Sequence, residues 1–256
     1  MSYRQLILGL VAALMVSSNL FADSVMEEVV VTAQKKEENI QEVPISITKM
    51  TGDRVTARFA GGEDILALAQ AAPGLHVETS NGRLAPRFYM RGLGNADFTQ
   101  AASQPVSIVF DEVPMEKVGF KSFPVFDVDS IEIGRVPQGT LFGKNSTVGA
   151  VSFFYNKPNF DSQNYKVRVG AGTDSRNELA LMANLPISDI TALRFSYSQE
   201  KQDGYIYNTT RNEFSGAIDA ETIRLSGIYK LSNAVSYTHL RAHETVLDLV
   251  CRLLLE

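Results

Sequence analysis

Tyr165-Lys166-Val167-Arg168-Val169-Gly170-Ala171 alternates apolar side chains with polar or small ones, and the same period returns in three later segments. Leu179, Leu181, Ala183 and Leu185 alternate with Glu178, Ala180, Met182 and Asn184. Leu193, Phe195 and Tyr197 alternate with Arg194, Ser196 and Ser198, and Ile223, Leu225, Gly227, Tyr229 and Leu231 alternate with Thr222, Arg224, Ser226, Ile228 and Lys230. Successive side chains of a strand point to opposite faces, so each segment carries one apolar and one polar face. The connections Gly172–Ser175 and Pro186–Asp189 are short, and Gln199–Ala220 is long. Alternation with tight turns and a long loop describes the wall of a transmembrane β-barrel. A soluble β-sandwich alternates in the same way, so periodicity leaves both open. In the barrel reading Tyr165, Val167, Leu179, Leu181, Phe195, Tyr197, Leu225 and Tyr229 face lipid, and Lys166, Arg168, Arg194 and Arg224 face the lumen.

Upstream, residues 43–158 are expected to form a compact α+β unit. Val43, Ile45 and Ile47 alternate across Pro44, which predicts a short edge strand. Glu63–Ala72 has helical spacing, with Ile65, Leu66, Leu68 and Ala69 as its stripe and Pro73-Gly74 as its stop. His76–Glu78 begins an extended piece, and Phe88, Met90 and Leu93 flank Arg91-Gly92. Val106–Phe110 alternates into a turn at Asp111-Glu112, and Val128–Ile133 contains another strand.

Further out, residues 1–22 have the form of a secretory signal. Arg4 gives a positive start, Leu6–Val16 is an eleven-residue apolar run, and cleavage is expected after Ala22. That run is too short to cross a bilayer as a helix. Residues 23–42 are a charged segment with one apolar island in Glu27-Glu28-Val29-Val30-Val31-Thr32-Ala33, followed by the cluster Lys35, Lys36, Glu37 and Glu38. Such an island can add as a strand to a partner's sheet edge, or it can be the first strand of the following domain. At the other end, Ser236–Glu256 holds two of the three His and the only Cys, Cys251. There Val246, Leu249, Val250 and Leu253 take helical spacing.

Composition removes several function classes. The 256 residues include 21% charged and 45% hydrophobic ones, with net charge −5, against a nucleic-acid binder or a disordered chain. One Cys allows no internal disulfide. Gly139–Asn145 lacks the phosphate-loop spacing, and Gly170-Ala171-Gly172 lacks a third glycine. Asn145-Ser146-Thr147 and Asn208-Thr209-Thr210 fit a glycosylation pattern, which carries no meaning if the source is bacterial. Asp127, Asp129 and Glu132 could pair as acids, but a turn entering a strand favours solvated carboxylates. His76 stands alone. No nucleophile, base and orienting group assemble, so catalysis, a metal site and a cofactor are not expected.

Glu27-Glu28-Val29-Val30-Val31-Thr32-Ala33-Gln34-Lys35-Lys36, followed by Val43-Pro44-Ile45-Ser46, resembles the N-terminus of TonB-dependent outer-membrane receptors. Arg91-Gly92-Leu93-Gly94, Val109–Pro114 and Ile131–Ser146 are similar to the plug-domain signatures of that family, in the same order. Asn156-Lys157-Pro158 resembles the exit from plug to barrel. Val136 stands where the family reads Gly, and Val before Pro suits extended backbone. The resemblance implies an α+β plug domain at 43–158, preceded by a TonB-box segment and linker at 23–42. The start of an antiparallel transmembrane β-barrel would follow at 159–235. Transporters of this type have about 22 strands, so the chain is expected to be an N-terminal fragment. Its last stretch, 236–256, is similar to a translated non-native read-through tail.

The same resemblance implies an energy-coupled importer in the bacterial outer membrane. Its partners would be TonB with its inner-membrane energising proteins, outer-membrane lipid, and a ligand such as a ferric siderophore, cobalamin, haem or an oligosaccharide. Glu28, Val29, Val30, Val31, Thr32 and Ala33 would form the TonB box. From its position between a cleaved signal and a charged cluster, Val29–Thr32 is expected to be unpaired within the chain. Two apical plug loops are expected to touch ligand, through Asn95, Asp97, Phe98 and Gln100 in one and Lys117, Phe120 and Lys121 in the other. A soluble periplasmic binding or adhesion module with a β-rich C-terminal region is the alternative.

Overall fold

The computed structural model describes residues 29–32, 35–36, 38–59, 65–79, 85–97, 99, 102–122, 125–232, 235–246 and 248–251. The expected signal segment 1–22 lies outside them, as do Glu28, Ala33, Phe98 and Gln100.

The first unit is built on a five-stranded mixed sheet. Its strands are β3 (Ile47–Thr51), β6 (Val106–Phe110), β7 (Val113–Pro114), β8 (Val128–Gly134) and β9 (Gly149–Tyr155), in the order β3-β8-β9-β6-β7. A small β4 (Leu75–Glu78) and β5 (Arg87–Met90) pair lies apart from it, and β1 (Val30–Val31) pairs with β2 (Glu38–Asn39). One face of the main sheet is apolar: Ile108, Ile131, Ile133, Val151 and Phe153 are buried there with Phe59, Ile65, Leu68 and Phe88. Helix α1 (Gly52–Arg58) contacts β8 and buries Val55. Its Arg58 donates to the Ala67 and Ala69 carbonyls at 2.6 and 2.5 Å.

Two local expectations give way. The strand foreseen from Val43 begins only at Ile47, where pairing with Gly134 starts. Pro44 has no N–H to donate to a ladder. The helix foreseen over 63–72 is a 3-10 turn at Ile65–Leu68 among the described residues. Gln70 at φ +64° and Gly74 at φ +76° turn the chain before a longer helix can form.

β6 and β9 are parallel neighbours, and Gly149 sits where β9 begins opposite Val106. A Cβ added at Gly149 would lie 2.4 Å from both the Gly134 carbonyl oxygen and the Met90 sulfur. Gly149→Ala is therefore expected to cost about 1–3 kcal/mol through overpacking. Urea unfolding should show a lower midpoint, and an unchanged midpoint would contradict the packing.

The second unit is a six-stranded antiparallel sheet in the order β10-β11-β12-β15-β16-β17. Its strands are β10 (Asn164–Ala171), β11 (Asn177–Ser188), β12 (Thr191–Gln202), β15 (Ile218–Ser232), β16 (Val235–Val246) and β17 (Asp248–Cys251). The long connection holds its own hairpin, β13 (Ile206–Asn208) with β14 (Glu213–Ser215). The four alternating segments are strands in the expected register: Val167 opposes Leu181, Leu181 opposes Tyr197, and Tyr197 opposes Ile223. The apolar set points away from the first unit, with Tyr165, Val167, Phe195, Leu225 and Tyr229 exposed. Arg194, Ser196, Arg224 and Ser226 are buried on the facing side.

The helical spacing of Val246, Leu249 and Val250 is not realised. Residues 235–246 and 248–251 continue the sheet as strands. The open edge of β15 offers a row of backbone donors and acceptors, and pairing with it outweighs helical periodicity.

Candidate functional site

Period two puts Lys49 of β3, Glu132 of β8 and Ser152 of β9 on the polar face of the first sheet, opposite the core. They are direct cross-strand neighbours, Lys49 facing Glu132 and Glu132 facing Ser152. The β1 segment lies over this row. The Thr32 N–H donates to the Glu132 carboxylate, at 3.0 Å to Oε1 and 3.1 Å to Oε2. Lys49 Nζ donates to the Val30 carbonyl at 2.5 Å and stands 3.2 Å from Glu132. Val31 is 1% exposed. Val29–Thr32 is thus docked and strand-paired, contrary to the expectation that it is unpaired within the chain. The polar face was available and β2 supplied a ladder. Beside this contact is a cleft of about 250 Å³ lined by Thr32, Lys35, Lys36, Glu112, Phe142, Ser152, Phe154 and Lys157.

At the exit end of the sheet, Asp127 joins the two units. Its φ of +58° turns the chain into β8, a conformation that Asp tolerates better than most residues. Arg194 donates to both carboxylate oxygens, Nε to Oδ2 at 2.8 Å and Nη2 to Oδ1 at 2.5 Å. Arg224 donates to Oδ2 at 2.9 Å, Ser196 donates to the same oxygen, and Asn156 donates to Oδ1 at 3.1 Å. The Arg224 guanidinium lies 3.9 Å above the Tyr155 ring. Asp111 is 4.0 Å from Arg224 and accepts from the Tyr155 N–H. Burial pushes the Asp111 carboxyl up, against the pull of that N–H and of Arg224. Asp127 and Glu132, foreseen as solvated turn carboxylates, are the most connected acids of the two contacts. Alternation put Glu132 opposite the core, but only long-range contacts reveal what covers that face.

The apical-loop residues do varied work. Asn95 donates to the Ser103 carbonyl at 2.5 Å and accepts from the Asp97 N–H. Asp97 accepts from the Thr99 N–H. Both side chains therefore brace the loop internally. That loop precedes β6, at the opposite end of the sheet from the exit. Lys117 is exposed and Phe120 half-buried on the 3-10 turn Val118–Lys121. Lys121, expected at the loop surface, is 1% exposed, because the turn folds its stem inward.

Burial lowers the Lys121 ammonium from its ordinary 10.5 to about 8. The folded chain releases this proton near pH 8, and the unfolded chain holds it to about 10.5. The unfolded state then binds more protons across that window, so the Lys121 contribution to stability rises with pH there and levels off above it. Lys121→Met should be more stable than the parent at neutral pH and lose that advantage by pH 10.5. Urea midpoints of both proteins across the window check this, and parallel pH profiles would contradict it.

The model of the TonB-dependent Receptor Plug Domain matches residues 39–150. The chain carries a TonB-dependent receptor plug domain. The vitamin B12 transporter BtuB of Vibrio vulnificus strain YJ016 is 23% identical over 237 residues, covering 83% of this chain and 36% of the transporter. The pesticin receptor of Yersinia pestis is 30% identical over 169 residues, 62% of this chain and 23% of that receptor. The chain spans well under half the length of these relatives. The ferric yersiniabactin uptake receptor FyuA from Yersinia pestis superposes with TM-score 0.69 at 20% identity, over 78% of this chain and 31% of its own. The pyoverdine outer membrane receptor FpvA from Pseudomonas aeruginosa PAO1 gives 0.68 at 16%, over 84% and 30%. The fold is that of a plug followed by barrel strands. The relatives are named as transporters and receptors rather than enzymes, and the plug's five-stranded sheet is the one that β1 covers.

Proposed function

We propose that this chain works as part of an outer-membrane active-transport receptor, energised through TonB and its inner-membrane partners. Its ligand would be a scarce one such as a ferric siderophore, with cobalamin or an oligosaccharide as alternatives. The observation that carries the reading is β1, a valine strand held on the plug by two side chains, one short hairpin and the buried Val31. It is not a member of the five-stranded sheet, so it can leave the plug and join another sheet edge at the cost of exposing Val31. The apolar face of β10–β15 supports a lipid-facing wall, since contiguous exposed apolar surface of this kind marks a membrane or partner contact. It disfavours the soluble binding or adhesion module.

In this reading Glu28–Ala33 is the TonB box. Ligand contacts come from the plug loops around Asn95, Asp97, Phe98 and Gln100 and around Lys117, Phe120 and Lys121, because loops on a rigid scaffold carry recognition. Catecholate siderophore receptor Fiu of Escherichia coli K12, 25% identical over 153 residues, adds to the relatives named for such ligands. The test is accumulation in cells whose only outer-membrane route is this receptor. Labelled ferric catecholates, ferric hydroxamates, cobalamin and an oligosaccharide are offered in turn. Accumulation of one class above receptor-free cells is expected. Accumulation of none, with the receptor at normal membrane levels, would contradict the reading.

A further inference from the structure

We infer that Lys49 and Glu132 cap the edge of β1 through which a partner strand would add, so that capture of β1 requires this charged pair to let go. The inference rests on the proposed pairing of the Val29–Thr32 segment with TonB, and it names what restrains that pairing.

A strand's backbone groups alternate in direction, so consecutive residues address opposite edges. The Val29 carbonyl accepts from the Ile40 N–H at 2.9 Å, and Val31 pairs with Glu38, so the groups of Val29 and Val31 face β2. Those of Val30 and Thr32 therefore face the other edge. A strand adding there would need the Val30 carbonyl and the Thr32 N–H for its ladder. Lys49 Nζ already holds the first at 2.5 Å, and the Glu132 carboxylate already holds the second at 3.0 and 3.1 Å. Each contact joins a charged group to the backbone, the stronger kind of hydrogen bond.

The caps are themselves fixed. Lys49 and Glu132 oppose each other across β3 and β8 and pair at 3.2 Å, with side chains 14% and 2% exposed. They cannot swing aside as surface residues do. The strand that carries Glu132 also begins beside Asp127, which Arg194 and Arg224 tie to the barrel strands. A shift of β8 against the barrel therefore moves the cap as well. Edge protection usually falls to Lys, Pro or a bulge on the strand itself; here the protecting charges come from the sheet beneath.

The test uses the native receptor in outer-membrane vesicles without ligand, titrated with the purified periplasmic C-terminal domain of TonB. Glu132→Ala and Lys49→Met are compared with the parent and with Val30→Pro. Each cap variant should bind about tenfold tighter, from the loss of one charge-assisted hydrogen bond that holds β1 down. A nitroxide at position 29 should also tumble faster in both variants before TonB is added. If the parent binds and Val30→Pro does not, while both cap variants match the parent in affinity and label motion, the cap is overturned and the TonB reading stands. If Val30→Pro binds as the parent does, or nothing binds, the TonB reading fails and takes the cap with it. Lys49→Met leaves the Thr32–Glu132 contact in place. It carries the test if Glu132→Ala does not reach the membrane folded.

Discussion

Replacing Asp127 with alanine is expected to lower the stability of the plug against the barrel strands by about 3–5 kcal/mol, the usual cost of removing one partner from a buried ion pair. The Asp127 side chain is 4% exposed and those of Arg194 and Arg224 are 7% and 9% exposed, so water cannot replace the lost carboxylate. Both guanidiniums would stay in place without their nearest counter-charge. Asp111, 4.0 Å from Arg224, is too far to substitute by direct hydrogen bonding. Alanine also suits φ +58° poorly, which adds backbone strain. Asp127→Asn keeps the shape and the turn, but it loses the charge and turns one acceptor oxygen into an amide donor facing Arg and Ser or Asn donors. With one acceptor oxygen retained, it should fall between alanine and the parent. Protease sensitivity of the plug in outer-membrane vesicles, titrated with urea, measures the effect. Equal midpoints for all three proteins would show that the seam is held elsewhere.

Proline at Val30 is expected to reduce accumulation of ligand to the level of cells lacking TonB, with ligand binding at the surface unchanged. The Val30 N–H faces away from β2, so proline leaves the β1–β2 pairing intact. The Val30 carbonyl that Lys49 holds is also retained. Extended backbone accommodates the fixed proline φ. A partner strand, however, meets an edge with a missing donor and a ring in its path, the arrangement that stops sheets from growing. Binding and accumulation measured in parallel separate the two effects. Undiminished accumulation would mean that β1 is not the strand a partner takes.

Much of the second unit is legible because a strand with one exposed apolar face and one face toward the plug must alternate. Period two placed Arg194 and Arg224 on the inner side before any contact was known. The plug was less legible. Helix α1 buries only Val55, too little apolar surface to print a helical stripe on Gly52–Arg58. The stripe at Ile65–Leu68 is real, but Gln70 and Gly74 limit it to a 3-10 turn. The candidate site was legible in its parts and not in its assembly. The valine island stood out by composition, and Glu132 stood on the polar side of its strand. That the one lies across the other is a contact between positions 32 and 132, and no local pattern encodes it. Lys121 was misplaced for the opposite reason: a lysine in a loop is normally solvated, and here the 3-10 turn buries it.

The most direct test of energy-coupled import is accumulation of whichever offered ligand class the receptor takes up, in cells that carry it with TonB present and with TonB deleted. The proposed coupling gives equal surface binding in the two strains and accumulation only in the first. Equal accumulation in both would contradict it.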